Sequence, residues 1–419
     1  MICLAARAFF KSQILSPMPP LDWINAELAD LRQRDLLREL PAPFDLQTAT
    51  IEVTGRPLIN FASNDYLGLA ADPRLAAAAA EACRSTGVGR GASPLVCGRS
   101  TIHAELERQL AEFEHTEAAL VFPSGFAANA GVVPALADRG DAIFADAKNH
   151  ASLIDGCRLS RAETHVYRHN DAVHLAELLA AHAPAARRSL IVTDTLFSMD
   201  GDVAPLAEIA ALARRYEAML LVDEAHATGV FGPQGHGLAE AVGVEQEGLI
   251  RIGTLSKALG AAGGFVVGPQ ALIDYLANRS RSYVFSTAQP ASTAAAAIVA
   301  LDLVAAEPQR GAQLLATASN LRQRLQTAGW NTGASASQII PIEVGAPAAA
   351  LALSRRLREA GFWVPAIRPP SVPPGESLLR LSLTASHTPA MIDALLVALG
   401  TNHQDTKAQR THKEVERDH

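Results

Sequence analysis

The stretch AMLLVDEAH, residues 218–226, places the carboxylate of Asp223 directly after an unbroken apolar run. Such a run is typical of a strand that other elements cover on both faces. A carboxylate at the end of a buried strand is costly unless a cation or several hydrogen-bond donors contact it. Taken alone, Asp223 fits a helix N-cap or a structural ion pair as well as a functional acid, so the rest of the sequence must decide between these roles.

Five further apolar runs alternate with helical patterns along the chain. They are AALVFPSG (118–125), DAIFADA (141–147), SLIVTDT (189–195), LIRIGT (249–254) and GGFVVG (263–268). Short segments rich in Val, Ile and Leu that alternate with longer helical segments predict an α/β fold, with a mostly parallel sheet between two layers of helices. In such a fold, ligands bind at the carboxyl ends of the strands.

The pattern changes after the alanine-rich segment 291–306. A helical pattern near 314–325, the strand-like IIPIEVG (339–345), a helical pattern near 351–359 and the strand-like LLRLSLT (378–384) follow. We expect these elements to form a smaller C-terminal α+β domain. The predicted division of the chain is therefore an N-terminal extension and arm (1–62), a large domain (63–302), a small C-terminal domain (303–403) and a disordered polar tail (404–419).

The N-terminal part contains one predicted helix, an amphipathic segment that runs from Leu21 to near Pro41. The first twenty residues lack the basic start, the apolar centre and the cleavage site of a secretory signal. Translation from Met1 and translation from Met18 are both compatible with the sequence.

Composition excludes several classes of function. The 419 residues include 36 Lys and Arg against 43 Asp and Glu, a formal net charge of −7. This balance offers no positive field, so we expect no nucleic-acid partner. No uncharged apolar stretch is long enough to cross a bilayer, so we expect no membrane partner. The four cysteines include no C-x-x-C pair, which favours a reducing, cytoplasmic location.

Lys257 lies in LIRIGTLSKALG (249–260), between the end of a predicted strand and a glycine-rich turn. At the open edge of a sheet an amine can lose part of its hydration, which lowers its pKa and makes it a nucleophile. Most lysines are solvated surface residues, but the small residues around Lys257 let another group approach the backbone closely. Thr254 and Ser256 add hydroxyl groups that suit a phosphate.

A third strand end, in AALVFPSGFAANAG (118–131), leads into a helix that begins near Ser124-Gly125-Phe126. Backbone N–H groups at a helix start can bind an anion, although this turn alone is an ordinary structural feature. Together with Lys257 and Asp223 it supplies the three parts that pyridoxal 5'-phosphate (PLP) requires. These parts are a lysine that forms a Schiff base, an acid for the pyridinium nitrogen, and a phosphate-binding helix start.

Eight segments, in order, then resemble the α-oxoamine synthase family of fold-type I PLP-dependent transferases. They are FASNDYLGLA (61–70), SGFAANAGV (124–132), NHASLIDG (149–156), FSMDGDVAPLAEI (197–209), VDEAHATGVFG (222–232), GTLSKALG (253–260), FSTAQP (285–290) and AIRPPSVPPGESLLRLSLTASH (366–387). The resemblance covers about residues 24–399. It implies a large PLP-binding domain with a mostly parallel sheet, and a homodimer with shared active sites.

The resemblance also implies catalytic roles. Lys257 matches the Schiff-base lysine, and Asp223 matches the partner of the pyridine nitrogen. His150 matches the histidine that stacks on the cofactor ring beside the substrate. His226 and Ser198 match the donors to the phenolic oxygen of the cofactor.

Other matched positions concern binding. Gly125, Phe126 and Thr254 match the cradle of the cofactor and its phosphate. Ser286 and Thr287 match hydroxyl groups that reach the cofactor phosphate of the neighbouring subunit. This last match is what implies the shared active sites.

Three residues match positions that contact substrates. Arg380 matches the arginine that binds the carboxylate of the amino acid, a bidentate task that suits a guanidinium better than an ammonium. Arg38 and Ser371 match positions near the acyl substrate. Composition alone would make Arg38 a solvated residue on a helix face.

The segment AIRPPSVPPG (366–375) resembles the family member that acts in biotin biosynthesis. It implies a PLP-dependent acyltransferase that condenses L-alanine with a pimeloyl thioester, carried by coenzyme A or by acyl carrier protein. A glycine-using member such as 2-amino-3-ketobutyrate ligase shares the cofactor residues and stays an alternative. A non-catalytic subunit with the same fold is the alternative from another class, and the presence of Lys257 argues against it. No zinc-type ligand motif is present, so we expect no metal.

Overall fold

The computed structural model of the chain describes residues 20–43, 45, 48–244 and 248–402. The first nineteen residues and the predicted polar tail lie outside these ranges. The strands are β1 (Thr50–Val53), β2 (Arg56–Asn60), β3 (Ala118–Phe122), β4 (Ala142–Asp146), β5 (Glu163–Tyr167), β6 (Ser189–Asp194), β7 (Met219–Asp223), β8 (Leu249–Thr254), β9 (Gly264–Gly268), β10 (Ile339–Gly345), β11 (Phe362–Trp363), β12 (Ala366–Ile367) and β13 (Ser377–Ser382).

The helices alternate with these strands through most of the chain. They are α1 (Trp23–Gln33), α2 (Pro73–Thr86), α3 (Thr101–Phe113), α4 (Gly125–Leu136), α5 (Ala151–Leu159), α6 (Ala172–His182), α7 (Leu206–Arg215), α8 (Leu238–Ala241), α9 (Gln270–Arg279), α10 (Arg281–Val284), α11 (Ala291–Ala306), α12 (Gln309–Thr327), α13 (Pro347–Glu359) and α14 (Pro389–Leu399). Two short helical turns, Pro94–Gly98 and Ala183–Ala185, complete the described elements.

A seven-stranded sheet forms the centre of the molecule, in the order β3-β9-β8-β7-β6-β4-β5. Its neighbours pair in parallel except at β9, which is antiparallel to both β3 and β8. All six predicted strands are present, and the prediction of a mostly parallel sheet is confirmed. The strands β3, β4, β6 and β9 are buried at every position, as their unbroken apolar sequences predict.

One strand of this sheet was not predicted. The edge strand β5 has the sequence ETHVY, and its residues are exposed or half-buried except for Tyr167. An edge strand has a neighbour on one side only, so it need not carry the continuous apolar run that identifies a central strand. An unbroken apolar run, which identifies the buried strands, is therefore absent from this edge strand.

Alanine-rich helices cover the sheet closely. The helix α11 packs against α2 and α3, and its inner face includes the fully buried Ala291, Ala294, Ala297 and Ala300. Small side chains let the helix axes approach one another, so apolar area is buried without large residues. The high alanine content of the sequence therefore has a packing role in this layer.

Two smaller sheets lie in the remaining sequence. The strand β13 pairs antiparallel with β10 and β12, and β2 pairs antiparallel with β1 and parallel with β11. The predicted C-terminal strands are thus present, as are the predicted helices within α12 and α13. The second small sheet joins N-terminal residues to residues near 362, so the N-terminal arm and the C-terminal part share a sheet. The division of the chain into domains stays a prediction.

The predicted N-terminal helix ends earlier than expected, and its predicted boundary near Pro41 is wrong. The helix α1 ends at Gln33, and Asp35 adopts a left-handed backbone conformation with φ of 56°. The N–H groups of Leu36 and Leu37 then donate to the carbonyl of Leu31. This reversal buries Leu36, whereas none of the residues of α1 is buried. After Gln33 the chain therefore reverses and buries Leu36, and it does not continue as a helix to Pro41.

No single helix among the described residues is both long enough and apolar enough to cross a membrane. The consecutive helices α11 and α12 meet the length and composition criteria only as a pair, and they are bent by 76° relative to each other.

Gly264, the first residue of β9, allows the start of α4 to pack against this strand. A Cβ atom at Gly264 would lie 2.5 Å from both the backbone nitrogen of Gly125 and the carbonyl oxygen of Ser124. We expect Gly264→Ala to lower the free energy of unfolding by about 1–3 kcal/mol, because both clashing atoms belong to backbone. Urea denaturation followed by circular dichroism measures this change. Gly89→Ala is the matched control, since a Cβ at Gly89 would contact nothing within 4 Å. Equal urea midpoints for the two variants would contradict this account of the packing.

Candidate active site

Four strand ends converge at one edge of the central sheet. The strand β7 ends at Asp223, β6 ends at Asp194, β8 ends at Thr254 three residues before Lys257, and β3 leads into α4 at Gly125. Because carboxyl ends of parallel strands meet at the same edge, these residues lie together although they are far apart in sequence. The structure therefore brings the three predicted parts of a PLP site to one place.

The Asp223 carboxylate is buried and is held by two protein donors. Asn129 of α4 donates from Nδ2 to Oδ2 at 2.5 Å, and the backbone N–H of Ala225 donates to Oδ1 at 2.8 Å. Hydrogen bonds to both oxygens fix the direction of the carboxylate. Asp223 is thus an oriented carboxylate at the sheet edge, as a partner for a pyridinium nitrogen must be.

Lys257 contacts a second predicted residue directly. Its Nζ lies 2.9 Å from Nε2 of His226, and Nδ1 of His226 lies 2.5 Å from the hydroxyl of Tyr66. Burial lowers the pKa of Lys257 to about 8, although the charge of Asp223 opposes the shift. Burial also lowers the pKa of His226 well below its ordinary value, and the Lys257 cation adds to this effect. A neutral His226 beside an amine that is partly neutral near physiological pH follows from these shifts.

His150 caps the start of α5. Its backbone N–H donates to Oδ2 of Asp194 at 2.6 Å, and its Nδ1 lies 2.7 Å from the hydroxyl of Ser152. Desolvation lowers the pKa of His150, the Lys257 cation lowers it further, and the charge of Asp223 raises it. These electrostatic links place the imidazole in the same cluster as Lys257 and Asp223.

Asp194 belongs to this cluster and was missed in the sequence. It is the register partner of Asp223 on the adjacent strand, and its backbone N–H donates to Oδ1 of Asn149 at 3.0 Å. Burial raises the pKa of Asp194 well above its ordinary value, and the charge of Asp223 raises it further. The rule that identifies Asp223, an acid at the end of an apolar run, also applies to Asp194 in SLIVTD. Sequence reasoning could therefore have found it.

The predicted phosphate cradle is the start of α4 together with the end of β8. A Cβ at Gly125 would lie 3.4 Å from Cβ of Thr254, so these two predicted residues are immediate neighbours. The hydroxyl of Thr254 donates to the carbonyl of Gly263 and lies 2.8 Å from that of Ser256. Backbone N–H groups at Gly125 and Phe126 open the helix beside these hydroxyls. This donor set fits a phosphate.

Arg380 lies in the buried strand β13 and reaches the same cluster from the small sheet. Its Nε donates to the carbonyl of Ser198 at 2.5 Å, and its Nη1 donates to Oδ1 of Asn64 at 3.0 Å. The hydroxyl of Tyr66 also lies within hydrogen-bond distance of Asn64, at 3.2 Å. Arg380 is therefore connected through Asn64 and Tyr66 to His226 and Lys257.

The segment that carries Ser198 is held to the sheet by a charged histidine. His169 lies 2.9 Å from Oδ1 of Asp146 through Nδ1, and 2.8 Å from Oδ2 of Asp202 through Nε2. The hydrogen bonds that His169 donates to both carboxylates outweigh the effect of burial and raise its pKa to about 9. An imidazolium between two acids thus has a structural role next to Ser198.

Arg38 and Ser371, predicted near the acyl substrate, contact each other across the chain. Nη2 of Arg38 donates to the hydroxyl of Ser371 at 3.2 Å and lies near the carbonyls of Arg368 and Pro369. Ser371 lines a cavity of about 1420 Å³ that also contacts His150, Ser198 and Lys148. This cavity therefore joins Ser371, one of the predicted acyl-binding residues, to His150 and Ser198 of the predicted cofactor site.

Ser286 and Thr287 line a different, small cavity with Tyr283 and Pro94. The structure of one chain does not bring them to the cavity that His150 and Ser198 line. Large apolar side chains nearby are exposed to solvent: 54% at Leu95, 76% at Val96 and 72% at Phe285. The segments that carry them are adjacent, since the N–H of Ala288 donates to the carbonyl of Ala92 at 3.0 Å. The two hydroxyl residues thus lie in an apolar surface.

Three further residues of the cluster were not identified from sequence, although each lies in a quoted motif. Tyr66 and Asn64 contact residues more than 150 positions away, which no local pattern reveals. Asn129 lies one helical turn after Gly125, so the helical period places it on the face of α4 that points to the site. That spacing was a usable signal for Asn129.

Comparisons with known proteins agree with this geometry. Residues 56–399 match the family described as aminotransferase class I and II. An 8-amino-7-oxononanoate synthase of Anaeromyxobacter dehalogenans (strain 2CP-1) is 52% identical over 379 residues, which cover 90% of this chain and 95% of that protein. The activity in the name of this relative is the one expected of the family member that acts in biotin biosynthesis.

Solved structures are similar as well. A serine palmitoyltransferase from S. paucimobilis with a bound PLP–myriocin aldimine superposes with a TM-score of 0.84 at 32% identity, covering 90% of this chain and 96% of that one. An 8-amino-7-oxononanoate synthase from Francisella tularensis gives a TM-score of 0.71 at 27% identity, covering 84% and 99%. The predicted fold class, a fold-type I PLP-dependent transferase, is confirmed.

The environment of Lys257 makes its reactivity depend on pH in a specific way. Because its pKa is about 8, we expect arylation of the Lys257 amine in the cofactor-free protein to reach half its maximal rate near pH 8. Lys148 is an internal control, since its ion pair with Asp200 raises its pKa. Mass spectrometry of peptides after timed reaction with trinitrobenzenesulfonate measures both residues.

The direction in which Asp223 shifts the pKa of Lys257 gives a second readout of the same experiment. Asp223→Asn removes an anion that stabilises the ammonium, so the midpoint for Lys257 should move to lower pH while that of Lys148 stays unchanged. A midpoint for Lys257 near that of an ordinary lysine would show that its amine is not desolvated.

Proposed function

The chain belongs to the family of 8-amino-7-oxononanoate synthases, and on that premise we propose that it condenses L-alanine with a pimeloyl thioester. The products are 8-amino-7-oxononanoate, carbon dioxide and the free thiol of the carrier. Membership of the family makes the chain a PLP-dependent acyltransferase of biotin biosynthesis. The observation that best supports the proposal is the cluster of Lys257, His226 and Asp223 with Arg380 at its edge.

The residues present fit PLP. Lys257 offers an amine of lowered pKa, Asp223 offers an oriented carboxylate, and Gly125 with Thr254 offers a phosphate cradle. When bound, the cofactor supplies an electron sink for negative charge at Cα of the amino acid. The role of Asp223 is to hold a positive charge on the ring nitrogen, which strengthens that sink.

Proton transfer at Cα falls to Lys257. A general base works best when its pKa lies near the working pH, and burial gives Lys257 a pKa of about 8. The neutral His226 accepts a hydrogen bond from the amine at Nε2 while its Nδ1 side contacts Tyr66. This contact fixes where the amine lies when it takes the proton from Cα and when it later returns one.

Arg380 binds the carboxylate of the amino acid in this proposal. Its guanidinium is buried and fixed by the carbonyl of Ser198 and by Asn64. Those bonds use Nε and Nη1, and a guanidinium has further N–H groups that can donate to a substrate. A buried arginine also attracts a carboxylate more strongly than an exposed one, because water screens the charge less.

The acyl chain occupies the cavity of about 1420 Å³ between the cofactor cluster and the Arg38–Ser371 contact. His150 lines this cavity close to the amino-acid site, and Arg38 lies beside Ser371 at its edge. Through its contact with Ser371, Arg38 is a cation at the edge of this cavity, which Lys148 also lines. Coenzyme A and acyl carrier protein both stay open as the carrier of the thioester.

A homodimer with shared sites completes the proposal. Ser286 and Thr287 lie in an exposed apolar surface with Leu95, Val96 and Phe285, which suits burial against a second copy. The location proposed is the cytoplasm. The described cysteines Cys83, Cys97 and Cys157 are free thiols, as a reducing compartment favours.

Substrate competition tests the proposed activity. We expect thiol release from pimeloyl-coenzyme A or pimeloyl-acyl carrier protein with L-alanine to exceed release with glycine by at least about tenfold in kcat/KM, as one well-fitted methyl group gives. Acetyl and succinyl thioesters should be poorer acyl donors. Lys257→Ala should be inactive, because the amine that takes the Cα proton is lost. Preference for glycine with an acetyl thioester would establish the alternative, a ligase of the 2-amino-3-ketobutyrate type.

Mixed dimers test the shared site. Lys257→Ala and the double variant Ser286→Ala, Thr287→Ala each lack one half of the proposed site. After the two are unfolded and refolded together, about a quarter of the sites should be intact, because half of the dimers then contain one complete site. Activity at limiting PLP should rise accordingly above that of either variant refolded alone. A mixture no more active than the average of the two variants would contradict a site built from both chains.

A further inference from the structure

A continuous set of hydrogen bonds joins Asp223 to His150. Asn129 donates from Nδ2 to Oδ2 of Asp223 at 2.5 Å and to the hydroxyl of Ser152 at 2.9 Å. That hydroxyl lies 2.7 Å from Nδ1 of His150, which also accepts from the backbone N–H of Ser152 at 3.3 Å. Asn129 and Ser152 are 1% and 0% exposed, so water does not compete for these groups.

Every proton in this set has one possible position. An amide nitrogen can only donate, so Nδ2 of Asn129 gives one hydrogen to Asp223 and the other to Ser152. The backbone N–H of Ser152 can only donate, so Nδ1 of His150 must accept. The hydroxyl of Ser152, which already accepts from Asn129, is left to donate its own hydrogen to Nδ1.

We propose that Asn129 and Ser152 are positioning residues that hold His150 as the neutral tautomer with its proton on Nε2. The proposal rests on the proposed function only in treating His150 as a residue of the active site. His150 lines the large cavity and its Nδ1 is occupied by Ser152, so the N–H at Nε2 is the ring group left to donate to a substrate. In this state His150 donates a hydrogen bond and does not act as a base through Nδ1.

The charges around His150 agree with the neutral form. Asp223 and Lys257 act on the ring with opposite signs, and desolvation outweighs the attraction of Asp223. Asp194 uses Oδ2 to accept from the backbone N–H of His150, so that contact orients the residue without adding an acceptor to the ring. Two donors at Nδ1 oppose protonation of that atom.

The same arrangement restrains Asp223. One hydrogen of Asn129 occupies Oδ2 of Asp223, and its other hydrogen depends on Ser152. Rotation of the Asn129 amide would therefore break the contact to Asp223 and the contact to Ser152 together. Asn129 thereby couples the direction of the Asp223 carboxylate to the tautomer of His150.

Nitrogen NMR of the full-length protein with 15N-labelled histidine tests the proposal without turnover. We expect Nδ1 of His150 to give the signal of an unprotonated nitrogen and Nε2 that of a protonated one, with the resonance assigned by its loss in His150→Gln. In Ser152→Ala the loss of one donor to Nδ1 should raise the pKa of His150 by about half to one pH unit. A mixture of tautomers should also appear. Ser85→Ala, at a distant position of α2, is the matched control and should change neither quantity.

Asn129→Asp provides an independent variant of nearly the same shape. It removes both donors, so the hydroxyl of Ser152 can turn away from His150 and the pKa of His150 should again rise. A protonated Nδ1 in the wild-type protein would overturn the proposal. So would an unchanged tautomer and pKa in both variants while their thermal stability shows that they are folded. These results are independent of substrate turnover, so failure of the proposed condensation would be recognised separately.

Discussion

The site depends on the charge balance between two buried carboxylates on adjacent strands. Asp194 and Asp223 are register partners at the ends of β6 and β7, and both are buried. Two like charges so close in a medium of low dielectric constant repel strongly. The protein resolves this by raising the pKa of Asp194 and by giving Asp223 donors from Asn129 and from the N–H of Ala225. Asp223 is thereby fixed in direction, and its negative charge acts on the groups around it.

That anion sets the properties of its neighbours. Burial alone would lower the pKa of Lys257 further, and Asp223 opposes this, so the amine has a pKa of about 8. Proton exchange with a substrate carbon needs an amine that is neutral for part of the time and basic enough to accept a proton. Lys257 therefore acquires its character from Asp223, while His226 and Tyr66 determine its position.

Sequence patterns predicted the parts of the molecule that obey local rules. Unbroken apolar runs identified six strands of the central sheet, and the convergence of strand ends predicted that Asp223, Lys257 and Gly125 lie close together. No local sequence rule predicts contacts between distant segments. Arg380 meets the carbonyl of Ser198 across 182 positions, and Tyr66 meets His226 across 160, so only the resemblance to a family could suggest that these segments lie together.

The most direct test of this account is the exchange of the Cα hydrogen of L-alanine in D2O, in the presence of PLP and without an acyl donor. The wild-type protein should incorporate deuterium at Cα, as followed by proton NMR. Lys257→Ala should not, because the base is missing, and Asp223→Asn should be slower by at least about a hundredfold, because the fixed charge that supports the carbanion is lost. Exchange at the wild-type rate in Asp223→Asn would contradict the account.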